Sequence, residues 1–405
     1  MKGAPKKRVL YISGSVFLGH VTRDLAIARE LRRQDPNVEL FWIASPPADR
    51  LLAEAGENIL PEARLYAEES ALTESVACGF QLNIIKALFR LRSPWKRNVE
   101  LFKRVMHKYP FDLVVGDETY EIAIAFRKKQ LHIKPTFVMI FDFIGVDAMT
   151  ANPLEKAAAY RTNSGWSRGY MLLPDSVMTI LFVGQPEDIP DKKFGFLLPN
   201  RRAWARRRCK FLGYVLSFDP QEFADCEKTK ARLGYGKAPL VVCAVGGSAL
   251  GRGLLDLCAQ AYVHMSQQIR DLRMVLVCGP RLAPESLNVP AGIEVRGYVP
   301  ALYEHFAACD LAIVQGGGTS TLELTALRRP FIYFPLEGHF EQQIHVAGRL
   351  ERHQAGVKLR FSETTPQSLA KEALAHIGKK VTYPPIRTDG ARRAAQLISA
   401  LLPPP

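Results

Sequence analysis

Leu311-Ala312-Ile313-Val314-Gln315-Gly316-Gly317-Gly318-Thr319-Ser320-Thr321 is the stretch on which the fold turns. Its first four residues read as a short buried strand, and three glycines follow at once. The run Leu322–Leu327 reads as a helix, Pro330 stops it, and Phe331-Ile332-Tyr333-Phe334 reads as the next strand. Strand, glycine turn, helix, strand is the grammar of a nucleotide-binding βαβ unit. Glycines let the backbone come close to an anion, and the first N–H groups of the helix point at it. Taken by itself, the turn is equally readable as a purely structural one.

Outward from this stretch the same alternation repeats. Upstream lie strand-like runs at 239–245, 274–278 and 293–299, with helical runs at 254–265 and 302–308. The first half carries its own series, with strands at 8–13, 38–44, 113–115, 136–141 and 176–183. Apolar residues at helical spacing, Leu25, Ala28 and Leu31, follow the first of them. The expected fold is therefore α/β, two Rossmann-like domains facing each other across a cleft. The expected boundaries are 1–215 for the first domain and 216–387 for the second. Residues 388–405 form a final helix and tail, expected to pack back on the first domain.

The chain has 405 residues, 47% of them hydrophobic, and a net charge of +14. No apolar run approaches the roughly 20 residues that span a bilayer, and the basic N-terminus lacks a signal peptide's apolar core. Seven scattered cysteines show no metal-ligand spacing, which fits a reducing, cytoplasmic setting. The positive charge concentrates between Lys192 and Lys210, where eight basic residues meet no acidic one and Phe194, Phe196 and Trp204 are interleaved. Such a run suits either a solvated surface or an anionic membrane at the inner face of the cell. No nucleic-acid-binding motif accompanies it, so no nucleic-acid partner is expected. Leu82, Ile85, Leu88 and Phe89 make an apolar stripe within 80–106, read either as ordinary helix packing or as a segment touching a greasy ligand.

Several residues have the chemistry of a site. Gly246-Gly247-Ser248 follows the first strand of the second half, where a phosphate would sit. It lacks the Lys-Ser/Thr ending of a Walker loop. Glu323 lies just past the glycines, where a carboxylate either accepts ribose hydroxyls or simply complements a helix dipole. Gln342 and Gln343 fall at the next strand-to-helix turn. In the first half, Gly19-His20 lies in a loop-to-helix junction and Asp117 ends another strand of the same sheet, so His20 is the candidate general base with Asp117 as its partner. Glu118 is the lesser candidate for that partner.

Val299, the run from Gly316 to Glu323, Pro335 and Gln342-Gln343 together resemble the donor-site signature of GT-B glycosyltransferases of families 1 and 28. Gly246-Gly247-Ser248 and Gly19-His20 resemble further elements of the same families. The resemblance implies an inverting, metal-independent transferase acting on a nucleotide sugar, most simply a UDP-sugar. It implies that Glu323 holds the ribose and that the Val299 backbone pairs with the base. Ser248, Thr319, Ser320 and the amides of Gly317 and Gly318 would hold the diphosphate, and Gln343 with Gln342 the donor sugar. It also implies a His20–Asp117 pair as base. Gln315 departs from the His common at this place in family 1, supplying an amide where that family has an ionisable ring. The sequence contains no Asp-x-Asp pair, so no metal and no cofactor beyond the nucleotide sugar are expected. The expected acceptor is a lipid or hydrophobic small molecule. The alternatives are a UDP-GlcNAc 2-epimerase-like isomerase and a non-catalytic sugar-nucleotide-binding subunit.

Overall fold

The computed structural model describes residues 6–14, 18–68, 74–75, 80, 90, 92–169, 173–247 and 249–404. The chain divides into two compact units. One comprises Met1–Ser75, Ile84–Ser217 and Arg387–Pro405; the other comprises Val76–Asn83 and Phe218–Ile386.

The first unit is built on seven parallel strands: β1 (Lys7–Ile12), β2 (Val38–Ile43), β3 (Asn58–Ile59), β4 (Leu113–Asp117), β5 (Thr136–Phe141), β6 (Met178–Val183) and β7 (Cys209–Gly213). Their order across the sheet is β3-β2-β1-β4-β5-β6-β7. β4 and β6 are buried along their whole length, as befits parallel strands covered on both faces, which read as continuous apolar runs. Val9 and Tyr11 of β1 pack beneath Val21, Leu25, Ala28 and Leu31 of the helix Leu18–Gln34. The helix Gly390–Ser399 closes the same core with Ala394, Ala395 and Ile398. The last stretch of sequence thus belongs to the first unit.

The second unit has six parallel strands: β8 (Leu240–Ala244), β9 (Arg273–Val277), β10 (Ile293–Arg296), β11 (Leu311–Gln315), β12 (Phe331–Phe334) and β13 (Val357–Lys358). Their order is β10-β9-β8-β11-β12-β13, the doubly wound arrangement of the first unit over again. Phe80 joins this unit by stacking on Phe361, and its carbonyl accepts from the Glu337 N–H at 3.1 Å.

In each unit the order reverses direction between the first and fourth strands, β1 and β4 or β8 and β11. Ligands of open α/β sheets bind at that reversal, outside the carboxyl ends of the strands. His20 and Asp117 fall there in the first unit, and Gly246 and the run from Gln315 to Glu323 in the second.

Three details differ from expectation. The helix after the glycines begins at Gly318 and ends at Ala326, so Glu323 lies in its second turn. The run Lys192–Lys210 contributes the helix Arg201–Arg208 and part of the edge strand β7. Five of its eight basic residues are held in ion pairs: Lys192 and Arg201 with Asp147, Arg202 with Asp191, Arg206 with Glu187, and Arg208 with Asp175. Arg201 is almost wholly buried. Much of the charge that suggested a membrane-facing patch is neutralised inside the unit. The stripe Leu82, Ile85, Leu88 and Phe89 lies outside the described residues, while the helix Arg92–Lys108 buries Leu101, Phe102 and Val105 in ordinary core packing.

Candidate active site

In the second unit Gly246 and the run from Gln315 to Glu323 lie at the β8/β11 reversal, while Val299 follows β10 and Gln342 and Gln343 follow β12. β11 ends on Gln315, which is 7% exposed and whose Oε1 has no hydrogen-bond partner. The chain must then pass Pro335: a Cβ on Gly316 would stand 2.7 Å from the Pro335 Cα. Gly317 follows in an extended conformation facing open space, and no side chain caps the helix that starts at Gly318. Its first amides are therefore left for another partner. Thr321 Oγ1 turns back onto the Gly317 carbonyl at 2.8 Å, while Thr319 and Ser320 hold half-buried positions in the first turn. Arg349 Nη2 donates to the Gly318 carbonyl at 2.9 Å and ties the turn to a following helix.

Glu323 is 6% exposed. Burial alone pushes its carboxyl up to about 8, with no hydrogen bond or cation to offset it. An unsupported buried carboxylate is costly. Gly246, at φ +76°, opens the neighbouring loop, and its carbonyl lies so near Gly279 that a Cβ there would come within 2.2 Å. Ser248 lies outside the described residues. Val299 is partly buried against the core on one face of this sheet, in the loop after β10.

The two glutamines do less than their positions suggested. Gln342 Oε1 accepts from the Leu336 N–H at 2.8 Å, and Gln343 Nε2 donates to the carbonyls of Pro335 and Leu336 at 3.1 Å each. Both amides brace the loop after β12, and the segment Glu341–Val346 is wound as a π-helix, a form frequent at functional sites.

The first unit brings His20 and Asp117 together, with a third residue between them. His20 Nδ1 lies 3.3 Å from Asp117 Oδ1. Arg23, one turn further along the helix, donates from Nε to Asp117 Oδ2 at 2.6 Å and from Nη2 to Asp117 Oδ1. Its Nη1 donates to Asp142 Oδ2 at 2.6 Å, and its Nη2 lies 2.8 Å from His20 Nδ1. Burial drives the Asp117 carboxyl up, but the Arg23 guanidinium and then His20 outweigh it and leave it at about 2. Asp142 is held low by the same balance of burial against Arg23. Asp24 goes the other way: burial and then Asp117 push it well above the carboxylate range, although it accepts from Ser13 Oγ at 2.6 Å and Tyr11 Oη at 3.1 Å.

Glu118 faces the other nitrogen of the ring, its Oε2 being 3.9 Å from His20 Nε2. It sits at φ +52°, a left-handed conformation uncommon outside glycine and one that gathers at functional sites. Sequence reasoning missed Arg23 and Asp142. The signal for the first was its place three residues after His20, on the same helical face; for the second, its place just past the end of β5, matching Asp117 at the end of β4.

Residues 241–398 match the glycosyltransferase family 28 C-terminal domain. An uncharacterized glycosyltransferase of Methanopyrus kandleri is 24% identical over 388 residues, covering 93% of this chain and 100% of that one. The UDP-N-acetylglucosamine--N-acetylmuramyl-(pentapeptide) pyrophosphoryl-undecaprenol N-acetylglucosamine transferase of Clostridioides difficile is 23% identical over 385 residues, covering 91% and 81%. Among solved structures, the glycotransferase of kitacinnamycin superposes with a TM-score of 0.61 at 17% identity, covering 99% of this chain and 100% of that one. Spinosyn rhamnosyltransferase SpnG complexed with thymidine diphosphate gives 0.55 at 16% identity, covering 97% and 95%. Fold and relatives together define a glycosyltransferase of the GT-B fold. Within that class the second half is similar to the family 28 C-terminal domain.

Proposed function

We propose that this chain is an inverting, metal-independent glycosyltransferase that moves a sugar from a UDP-sugar to a hydroxyl of a lipidic or hydrophobic acceptor. The observation that carries the proposal is Glu323. Its carboxyl is buried without a hydrogen bond or cation to support its charge, one turn into a helix whose N-terminus is uncapped. Two ribose hydroxyls would satisfy it while the diphosphate meets the free amides after Gly317. In this reading Thr319, Ser320 and Ser248 add hydroxyl donors to the diphosphate, and the Val299 backbone meets the base. Gln315 donates a neutral hydrogen bond, and Gln343 retains its Oε1 for the donor sugar. Gln342 acts at one remove by holding Leu336.

His20 takes the acceptor's proton, and the hydroxyl oxygen attacks the anomeric carbon in line with the departing diphosphate. Helix amides aimed at the growing charge of the leaving group are the chief electrostatic aid to such a step. The absence of any Asp-x-Asp pair supports a site that works without a metal. The relatives named as undecaprenol-linked transferases support a lipidic acceptor. So do Phe196 and Leu197, 79% and 77% exposed and a few residues along the chain from the exposed Lys193, as a point of contact with an anionic membrane. Among the described residues no helix is long and apolar enough to cross a membrane.

The test is a thermal-shift screen of nucleotide sugars, followed by turnover of H20A. A UDP-sugar should raise the melting temperature by mass action. H20A should keep that rise and lose on the order of 10²–10⁴ in turnover. Wild-type turnover in H20A would remove the base assignment, and an unchanged melting temperature with every UDP-sugar would remove the donor assignment.

A further inference from the structure

The ionisable groups gathered around His20 do not cancel. They are Tyr11 of β1, Arg23 and Asp24 of the Leu18–Gln34 helix, Asp117 and Glu118 where β4 ends, and Asp142 just past β5. Arg23 is the cation of this group, and two carboxylates share it. Its Nε donates to Asp117 Oδ2 at 2.6 Å and its Nη2 to Asp117 Oδ1, while its Nη1 donates to Asp142 Oδ2 at 2.6 Å. Asp117 approaches the ring, at 3.3 Å from Nδ1, but Arg23 covers both of its oxygens. Asp117 and Arg23 by themselves would make a neutral pair.

The remaining acids add no charge. Burial and then Asp117 hold Asp24 in its neutral form, with the Ser13 and Tyr11 hydroxyls directed at it, and burial keeps the Tyr11 phenol neutral as well. Glu118 is also held neutral, by burial, then by the Asp142 charge and a hydrogen bond between the two carboxyl groups. Asp142 keeps its own charge: burial works against it, and the Arg23 guanidinium, then Glu118 and His20, outweigh burial. Two carboxylates against one guanidinium leave the cluster with one negative charge in excess. An unmatched charge away from water is costly, and the group placed to match it is the His20 ring once it has taken a proton.

We propose that Asp142 is a positioning residue for the base: acting through Arg23, it gives the cluster around His20 its surplus negative charge, and that charge stabilises the imidazolium formed when the acceptor gives up its proton. As the acceptor O–H bond breaks, the proton passes to His20 Nε2, and the oxygen's electron pair forms the bond to the anomeric carbon. That carbon's bond to the diphosphate breaks, and its electron pair leaves with the diphosphate. Arg23 moves no proton; it fixes both carboxylates against the helix that carries His20.

The inference rests on His20 being the base, and the test keeps the two apart. The His20 ring is titrated by NMR in the protein alone, its signal assigned by its loss in H20Q. In D142N, which keeps the shape and still accepts from Arg23, the midpoint should fall by about one pH unit, because a nearby negative charge has gone. Glu118 is freed to ionise once Asp142 is uncharged; D142N/E118Q closes that route and should show the full fall. UDP release from UDP-GlcNAc is then followed against pH. The neutral ring is the active form, so in D142N the acid limb should move down with the His20 midpoint. The plateau should fall up to about tenfold, as suits a weaker base, with KM for UDP-GlcNAc unchanged. Damage to the fold would lower the plateau without moving the limb. An unmoved His20 midpoint in D142N/E118Q, or in D142N if the double variant does not fold, overturns the role of Asp142. So does an unmoved acid limb in D142N while H20A is inactive. If the wild type does not turn over UDP-GlcNAc, the titration alone decides. Wild-type UDP release from H20A would instead overturn the base assignment on which this rests.

Discussion

Replacing Glu323 with Gln should make the protein more stable at neutral pH, even as it weakens the proposed donor site. Burial raises the Glu323 carboxyl from 4.5 to about 8 in the fold. Between those values the folded state binds more protons than the unfolded one, so stability falls as pH rises. Moving a titration midpoint by a single pH unit corresponds to about 1.4 kcal/mol. At pH 7 the ionisation penalty is thus up to about 3 kcal/mol, and it approaches about 5 kcal/mol above pH 8. E323Q keeps the shape and removes the charge. Its melting temperature should exceed that of the wild type from pH 7 upward, and the two curves should converge near pH 4.5. UDP should reverse the order: a ribose hydrogen-bonds the ionised carboxylate, so binding to the wild type at pH 7 releases a proton and tightens as pH rises toward 8. Calorimetry in buffers of different ionisation enthalpy reads that proton directly. Equal pH dependence of the melting temperatures of wild type and E323Q would refute the claim that this carboxylate is buried without support.

Arg23→Met should be severe, because it leaves Asp117 and Asp142 buried without their shared cation. Removing one partner of a buried pair costs about 3–5 kcal/mol, and chemical denaturation should show it. Acid should also destabilise the wild type: the Asp117 pKa is depressed to about 2, so its contribution is present above the ordinary carboxylate range and lost as pH falls through 2. Gln342→Ala removes the acceptor for the buried Leu336 N–H. It should cost about 1–3 kcal/mol and weaken binding of the donor sugar through the loop rather than through direct contact, visible as a raised KM.

The two sheets were legible because buried parallel strands are apolar throughout, and 136–141 and 239–245 could hardly be read otherwise. β7 was hidden: it is an edge strand with Lys210 in it, following a run of arginines. β3 and β13, two residues each, are too short to have a period. The helix at Gly318 reads poorly because Gly, Thr and Ser are weak helix formers. That weakness comes with an exposed N-terminus suited to an anion. Glycine spacing and Glu323 could be read from local order alone. What Arg23 does could not, since its partners lie 94 and 119 residues away. The brace that Gln342 and Gln343 give their own loop was equally invisible, because an amide's partner is decided by backbone geometry and not by residue type.

The helix Gly390–Ser399 completes the core of the first unit after the chain has already passed through the whole of Phe218–Ile386. On the ribosome, then, the first unit waits. The helix Leu18–Gln34 has β1 beneath it early, but Ala394, Ala395 and Ile398 of the same core arrive last, while the second unit has most of its sequence in one continuous piece and can condense first. Synthesis from the N-terminus and completion of the folded units therefore run in opposite order, and the half that holds His20 matures last.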